Sequence, residues 1–186
     1  MPEEAQWLPG DMSNMVIGQG YVLVTPIQVV RAYAAVATGK LLRPHLLKEV
    51  RNSLGDTVLS YDTVEDTAPQ VTEANLKIVR DALHGVATEN ESVAADFNKY
   101  SWSAAAKTGT AEVAGKQDMA WFSCYAPYDN PKFALCVCVE EGGSGGTVGS
   151  PLAAQIMDAA IQSSSGSFDE DMSPIAATEV SVGGSN

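Results

Sequence analysis

AAAKTGTAEV, from Ala104 to Val113, sets one lysine between three alanines and a Thr-Gly-Thr, in a chain with 11 Lys and Arg among 186 residues. Read as a strand, the stretch puts Thr108 and Thr110 on one face. Gly109 between them adds no side chain, so a flat strip of backbone stays open to another body. A lysine among small residues creates a local positive potential suited to a carboxylate, and hydroxyls at alternate positions add donors on one side. The competing reading makes Lys107 a solvated edge-strand lysine of the kind that blocks strand-to-strand aggregation. The tetrapeptide alone favours that plainer reading.

Working outward, the spacing predicts three strands in quick order, Ser101 to Val113, Ala120 to Ala126 and Phe133 to Glu140, separated by the turn-rich AGKQD and PYDNP. They form an antiparallel meander. SPLAAQIMDAAIQ follows, with Ser150 as N-cap and Pro151 at the first helical position, and predicts a terminal helix on the sheet. From Ser163 a Ser/Gly/acid mixture without period is expected to be a mobile tail, dividing the chain into 1–162 and 163–186. Upstream, TPIQVVRAYAAVATGK (Thr25 to Lys40) carries a Thr cap, Pro at the first position and a closing glycine. A second helix begins near Thr72 with an apolar stripe at Leu76, Val79, Leu83 and Val86. Leu41 to Asp66 reads as a hairpin with Ser-Leu-Gly-Asp as its turn, IGQGYVLV (Ile17 to Val24) as a structured loop, and TENESVAADFNKY as a loop with room for one short helical turn.

Composition narrows the function classes. Apolar residues make up 45% and charged residues 18%, the balance of a chain that buries a core. A net charge of −12 repels phosphate backbones, so nucleic acid is excluded as an expected partner. No apolar run reaches the roughly 18 residues of a membrane span, and the N-terminal stretch has no signal-like basic and apolar regions. The three cysteines lie in apolar surroundings without a histidine at metal-motif spacing, so no metal or cofactor is expected. Cys136 and Cys138, two apart on a strand, share a face and read as core residues.

A second candidate site, Gly142-Gly143-Ser144-Gly145-Gly146, satisfies G-x-S-x-G between a strand and a helix. Both histidines, His45 and His84, lie upstream of Ser144, which leaves no base in the order such a hydrolase needs. The lysine of a phosphate loop is absent too, and Glu140 and Glu141 flank the region. It reads as a flexible connection.

Several motifs in one order now decide between the readings of Lys107. GDMSNMVIGQG with VTPIQVVRAYAAVATGK, then AAAKTGTAEV, then AWFSCYAPYDNPKFALCVCVEEGG resemble the transpeptidase domain of class B penicillin-binding proteins, from about Gly10 to Gln162. Lys-Thr-Gly together with Ser-x-x-Lys and a Ser-x-Asn motif is an established signature of penicillin-recognising enzymes. Where family members often carry Gly-Thr-Ala after the second helix, this chain has Glu91-Ser92-Val93-Ala94, a departure expected to touch a loop and leave the site alone. No serine here has a lysine three residues on or an asparagine two residues on. The nucleophile, its lysine base and the second motif are therefore expected N-terminal to Met1.

The resemblance implies an α+β fold in which the meander is part of a five-stranded antiparallel sheet flanked by helices, here as an incomplete domain. It implies a membrane-anchored, extracytoplasmic peptidoglycan D,D-transpeptidase that cross-links stem peptides through a serine acyl-enzyme and binds β-lactams, inactive as this piece alone. Lys107 would position and polarise the serine, Thr108 and Thr110 would hold the substrate or drug carboxylate, and Gly109 would keep the strip clear. The Thr110 N–H would supply half an oxyanion hole. The expected partners are the stem peptide, β-lactams and the missing N-terminal part of the domain, with self-association through an open sheet edge as a further expectation. The rivals are a non-catalytic β-lactam sensor or partner-binding module of the same superfold and, less well matched by IGQG and VTPIQ, a β-lactamase.

Overall fold

Two of the helices, those that follow Thr25 and Thr72, begin where a threonine side chain accepts one of their first free N–H groups. In the computed structural model of the chain, which describes residues 7–67 and 70–165, helix α1 (Pro9–Val16) starts at a proline, and the Asp11 carboxylate accepts the Leu8 N–H at 2.8 Å. Sequence reading assigns no element to this stretch, just ahead of the loop that begins at Ile17. Helix α2 (Pro26–Thr38) has a reciprocal cap: Thr25 Oγ1 accepts the Gln28 N–H, and Gln28 Oε1 accepts the Thr25 N–H at 2.8 Å. Such caps contribute about 1 kcal/mol. Gly39 ends α2 at φ 75, a left-handed conformation that penalises any side chain.

Strands β1 (Glu49–Arg51) and β2 (Thr57–Ser60) form the expected hairpin, pairing Glu49 with Ser60. Asn52 Oδ1 accepts the Leu54 and Asp56 N–H groups and so holds the turn. Helix α3 (Glu73–Glu89) is capped by Thr72 and runs two residues beyond the expected end at Ala87. Helix α4 (Glu91–Phe97) replaces the loop expected in this region, because Val93, Ala94 and Phe97 fall on one side and are buried. That apolar triplet outweighs the polar residues around it.

Strands β3 (Ala105–Ala111), β4 (Met119–Ala126) and β5 (Phe133–Val139) pair antiparallel in the order β3-β4-β5, with Gly109 opposite Trp121 and Trp121 opposite Cys138. The meander is as expected, with β3 starting four residues later than predicted. Ala104, Ala106, Phe122 and Cys124 belong to one core with Val93 and Phe97 of α4 and Ala153, Ala154 and Met157 of helix α5 (Ser150–Ser165). The α2 helix packs against β4 and β5, and α3 against β3. The α+β class is as expected. Helix α5 runs three residues past Gln162, and the remainder of the expected tail, 166–186, lies outside the described residues. No helix among the described residues is long and apolar enough to cross a membrane.

Candidate active site

Strand β3 is an edge strand: β4 occupies one side, and no strand among the described residues pairs with the other. Its first half is anchored, since Ala104, Ala105 and Ala106 are at most 2% exposed. Alanine is what lets strand and helix backbones approach this closely. The second half opens outward, with Lys107 and Thr110 exposed and Thr108 and Gly109 half-buried. The sheet register puts Thr108 and Thr110 on one face, opposite Phe122 and Ala120, and Lys107 on the other, opposite Ser123. Lys107 Nζ donates to the Thr108 carbonyl at 2.7 Å and forms no ion pair among the described residues. An ammonium with no carboxylate of its own, two hydroxyls and an unpaired strand edge make a surface suited to an extended, anionic peptide.

Two other motifs reach this strand. Gln19 of IGQG donates from Nε2 to Glu112 Oε2 at 3.0 Å, tying that loop to the end of β3. The glycine-rich stretch after β5, expected to be a flexible connection, is instead packed. Ser144 caps a π-helical turn, Gly145–Gly149, whose Gly145 and Gly149 are buried. The Gly143 N–H donates to the Asp118 carbonyl at 2.8 Å, and the Gly145 N–H donates to Thr110 Oγ1 in a long 3.4 Å hydrogen bond. A side chain at Gly146 would sit 3.5 Å from Ser92 Oγ and 3.7 Å from Thr108 Cγ2. Ser92, in the departure expected to touch a loop and leave the site alone, lies on α4 and shares this contact position with Thr108. Sequence reasoning missed this turn as part of the site. The available signal was the four-residue spacing of Gly145 and Gly149 immediately before a capped helix.

Burial explains the titration behaviour of the groups around the sheet. It pushes the Tyr33 phenol, the Cys124 thiol and the Tyr125 phenol each up to about 12. Burial also raises the Cys136 thiol, partly offset by a hydrogen bond with Ser123, and the Cys138 thiol. All three thiols are free and held in the protonated, unreactive form. No group of three or more His, Cys, Asp or Glu suited to a metal occurs among the described residues.

A Lys-Thr-Gly strand at the edge of an antiparallel sheet is one element of the signature of the penicillin-recognising class of α+β domains. The model for the penicillin-binding protein transpeptidase domain matches residues 1–158, and the chain belongs to that family. It is 31% identical over 188 residues to the peptidoglycan D,D-transpeptidase MrdA of Salmonella typhimurium, covering 90% of this chain and 30% of that protein. The chain thus spans about a third of the length of the curated relatives it matches. It superposes on Pseudomonas aeruginosa PBP2 in complex with WCK 5153 with a TM-score of 0.69 at 32% identity, covering 89% of this chain and 35% of the other. The penicillin G acyl-enzyme of penicillin-binding protein A from M. tuberculosis shares the fold, with a TM-score of 0.70 at 24% identity over 81% of this chain and 35% of the other.

Proposed function

We propose that this chain is the Lys-Thr-Gly-bearing portion of a peptidoglycan D,D-transpeptidase that cross-links stem peptides and is acylated by β-lactams on the extracytoplasmic face of a bacterial membrane. The observation that carries it is the open edge of β3, with the Thr108 and Thr110 hydroxyls on one face and, on the other, Lys107 without a carboxylate partner among the described residues. Family membership and the peptidoglycan D,D-transpeptidase relatives support the substrate class. In this reading the terminal carboxylate of a stem peptide, or the carboxylate of a β-lactam, lies against Thr108 and Thr110, and the peptide extends along the strand. Gly109 leaves room for it. The Thr110 N–H supplies one donor to the oxyanion that forms when a serine attacks the carbonyl, a contribution typically worth about 2.7–4 kcal/mol. Lys107 lends positive potential to the serine and its base, which we place on the portion of the domain preceding this chain. The domain portion extends through helix α5 to Ser165, past the boundary at Gln162 expected from sequence.

The same reading makes the chain inactive alone and leaves the outer edge of β5, which has no strand partner among the described residues, to the rest of the domain or to a second copy. The test is intact-mass measurement after incubation with a labelled penicillin. One drug per molecule is expected on the longer protein containing a complete domain, and no adduct on the 186-residue chain. A stoichiometric adduct on the short chain would place the nucleophile within it. No adduct on the longer protein would overturn the transpeptidase reading.

A further inference from the structure

The glycine turn after β5 meets the Lys-Thr-Gly strand backbone to backbone at Gly145. Gly145 is buried, and its φ lies outside the left-handed range, so no conformational need calls for glycine there. The need is for space. A methyl group on its Cα would overlap the carbonyl oxygens of both Gly109 and Trp121 and stand 2.9 Å from the Gly109 nitrogen. Those two residues face each other across β3 and β4, so Gly145 rests on the rungs of the ladder beneath the site. Its N–H donates to Thr110 Oγ1. That bond occupies a lone pair of the hydroxyl and leaves the hydroxyl proton free to donate in another direction.

We propose that Gly145 is a positioning residue for the Lys-Thr-Gly strand, fixing the height of the Gly109 peptide and the rotation of the Thr110 hydroxyl on which the carboxylate of a stem peptide or β-lactam is held. The inference rests on the transpeptidase reading for its consequence but on packing alone for its geometry. Two neighbours mark its limits. Gly149, four residues on, is also tightly packed, since a methyl there would stand 2.6 Å from Phe122 Cβ, but its nearest contacts are all to Phe122 of β4 and none is to β3. Gly146, the next residue, has no atom closer than 3.5 Å to the same position. The turn therefore supplies its own controls: two sites where a methyl group is sterically barred, only one of them with β3 atoms among its nearest contacts, and adjacent space at a third.

The experiment compares Gly145→Ala, Gly149→Ala and Gly146→Ala in the longer protein with a complete domain, reading thermal midpoint, the acylation rate constant at saturating labelled penicillin, and amide hydrogen exchange across β3. Gly145→Ala should lower the acylation rate constant at least tenfold and speed exchange at the amides of residues 107–111. Gly149→Ala should lower the thermal midpoint by a similar amount while the acylation rate constant stays within threefold of the starting protein and β3 exchange is unchanged. Gly146→Ala should move neither strongly. Combining Gly145→Ala with Thr110→Val should cost less than the sum of the two, because both remove the same oriented hydroxyl. Equal acylation losses in the Gly145 and Gly149 variants, or unchanged β3 exchange in Gly145→Ala, would overturn the proposal. If the starting protein is not acylated at all, the transpeptidase reading fails, and the exchange data alone still decide whether Gly145 sets the strand.

Discussion

The β3–β4–β5 sheet and the β1–β2 ribbon are both antiparallel and both built from alternating residues, yet they stand at opposite ends of burial. In β4, Phe122, Cys124, Tyr125 and Ala126 are fully buried, whereas every residue of β2 is exposed and Val58 keeps 60% of its surface. The sheet has α4 and α5 on one face and α2 on the other, while among the described residues no helix packs closely on the ribbon. Alternation makes a strand, but residue size decides whether anything can cover it. Alanines at 104–106 and glycines at 109, 145 and 149 let backbone approach backbone around β3 and β4. The ribbon offers Leu54, Val58 and Leu59 instead, and holds its place through polar ties at its base. Packing therefore fixes the site strand, and charge fixes the ribbon.

The contrast breaks most visibly in the core of the sheet. Phe122 stacks on Phe97 at 5.7 Å between ring centroids and meets Gly149 from the other side. Truncation by Phe122→Ala should cost about 3–5 kcal/mol, because close-packed neighbours relax little into the void. Chemical denaturation of the complete domain measures it. A loss below about 1 kcal/mol would mean that the sheet is held as loosely as the ribbon.

Next in size comes a change that the sheet's stability should not register. The Lys107 side chain is exposed and bonds only to the strand's own backbone, so Lys107→Ala should leave the thermal midpoint nearly unchanged. Acylation of the complete domain by a penicillin should nonetheless fall roughly a hundredfold, the scale on which a preorganised charge acts on a developing oxyanion. Unchanged acylation would return Lys107 to the part of a solvated edge lysine.

Much of this was readable before the fold was seen. The meander, the Thr25 and Thr72 caps, the hairpin turn at Gly55 and the pairing of Thr108 with Thr110 on one face all follow from short-range rules that one stretch of sequence obeys by itself. What escaped depends on distant partners. Segment 91–97 looks polar until Phe97 finds Phe122 and Trp102, and α1 goes unassigned until Asp11 closes its first turn. Gly142 to Gly146 reads as slack chain because a glycine needed for close approach and one needed for freedom are the same letter. Only Gly109 and Trp121, some 24 to 36 residues away in sequence, show which one Gly145 is.

The smallest effect expected belongs to the ribbon, and it is set by pH. Asp66 lies at the ribbon's return, where its N–H donates to the Leu41 carbonyl at 2.7 Å and its carboxylate accepts from Arg43 and from Arg31 of α2. Arg31 also donates to the Leu42 carbonyl at 2.7 Å, so one carboxylate and two guanidinium groups tie both legs of the segment to α2. The hydrogen bond from Arg43 holds the Asp66 carboxyl below its ordinary range, outweighing the opposing effect of desolvation, and the charges of Arg43 and Arg31 add to it. A carboxyl lowered on folding contributes stability above its unfolded pKa, about 3.9, and loses it as pH falls through the depressed folded value. The tie should therefore be intact at neutral pH and loosen only below about pH 4. Because Arg43 is exposed and Arg31 and Asp66 are only partly buried, the loss is local: amide exchange at Arg43, which donates to the Val64 carbonyl, should quicken in acid while the Phe133–Val139 amides stay protected. Asp66→Asn should give the acid-like exchange at neutral pH and flatten its pH dependence. If β5 exchange rises together with that of Arg43, the ribbon and the sheet open as one unit, and the separation between charge-held and packing-held strands falls.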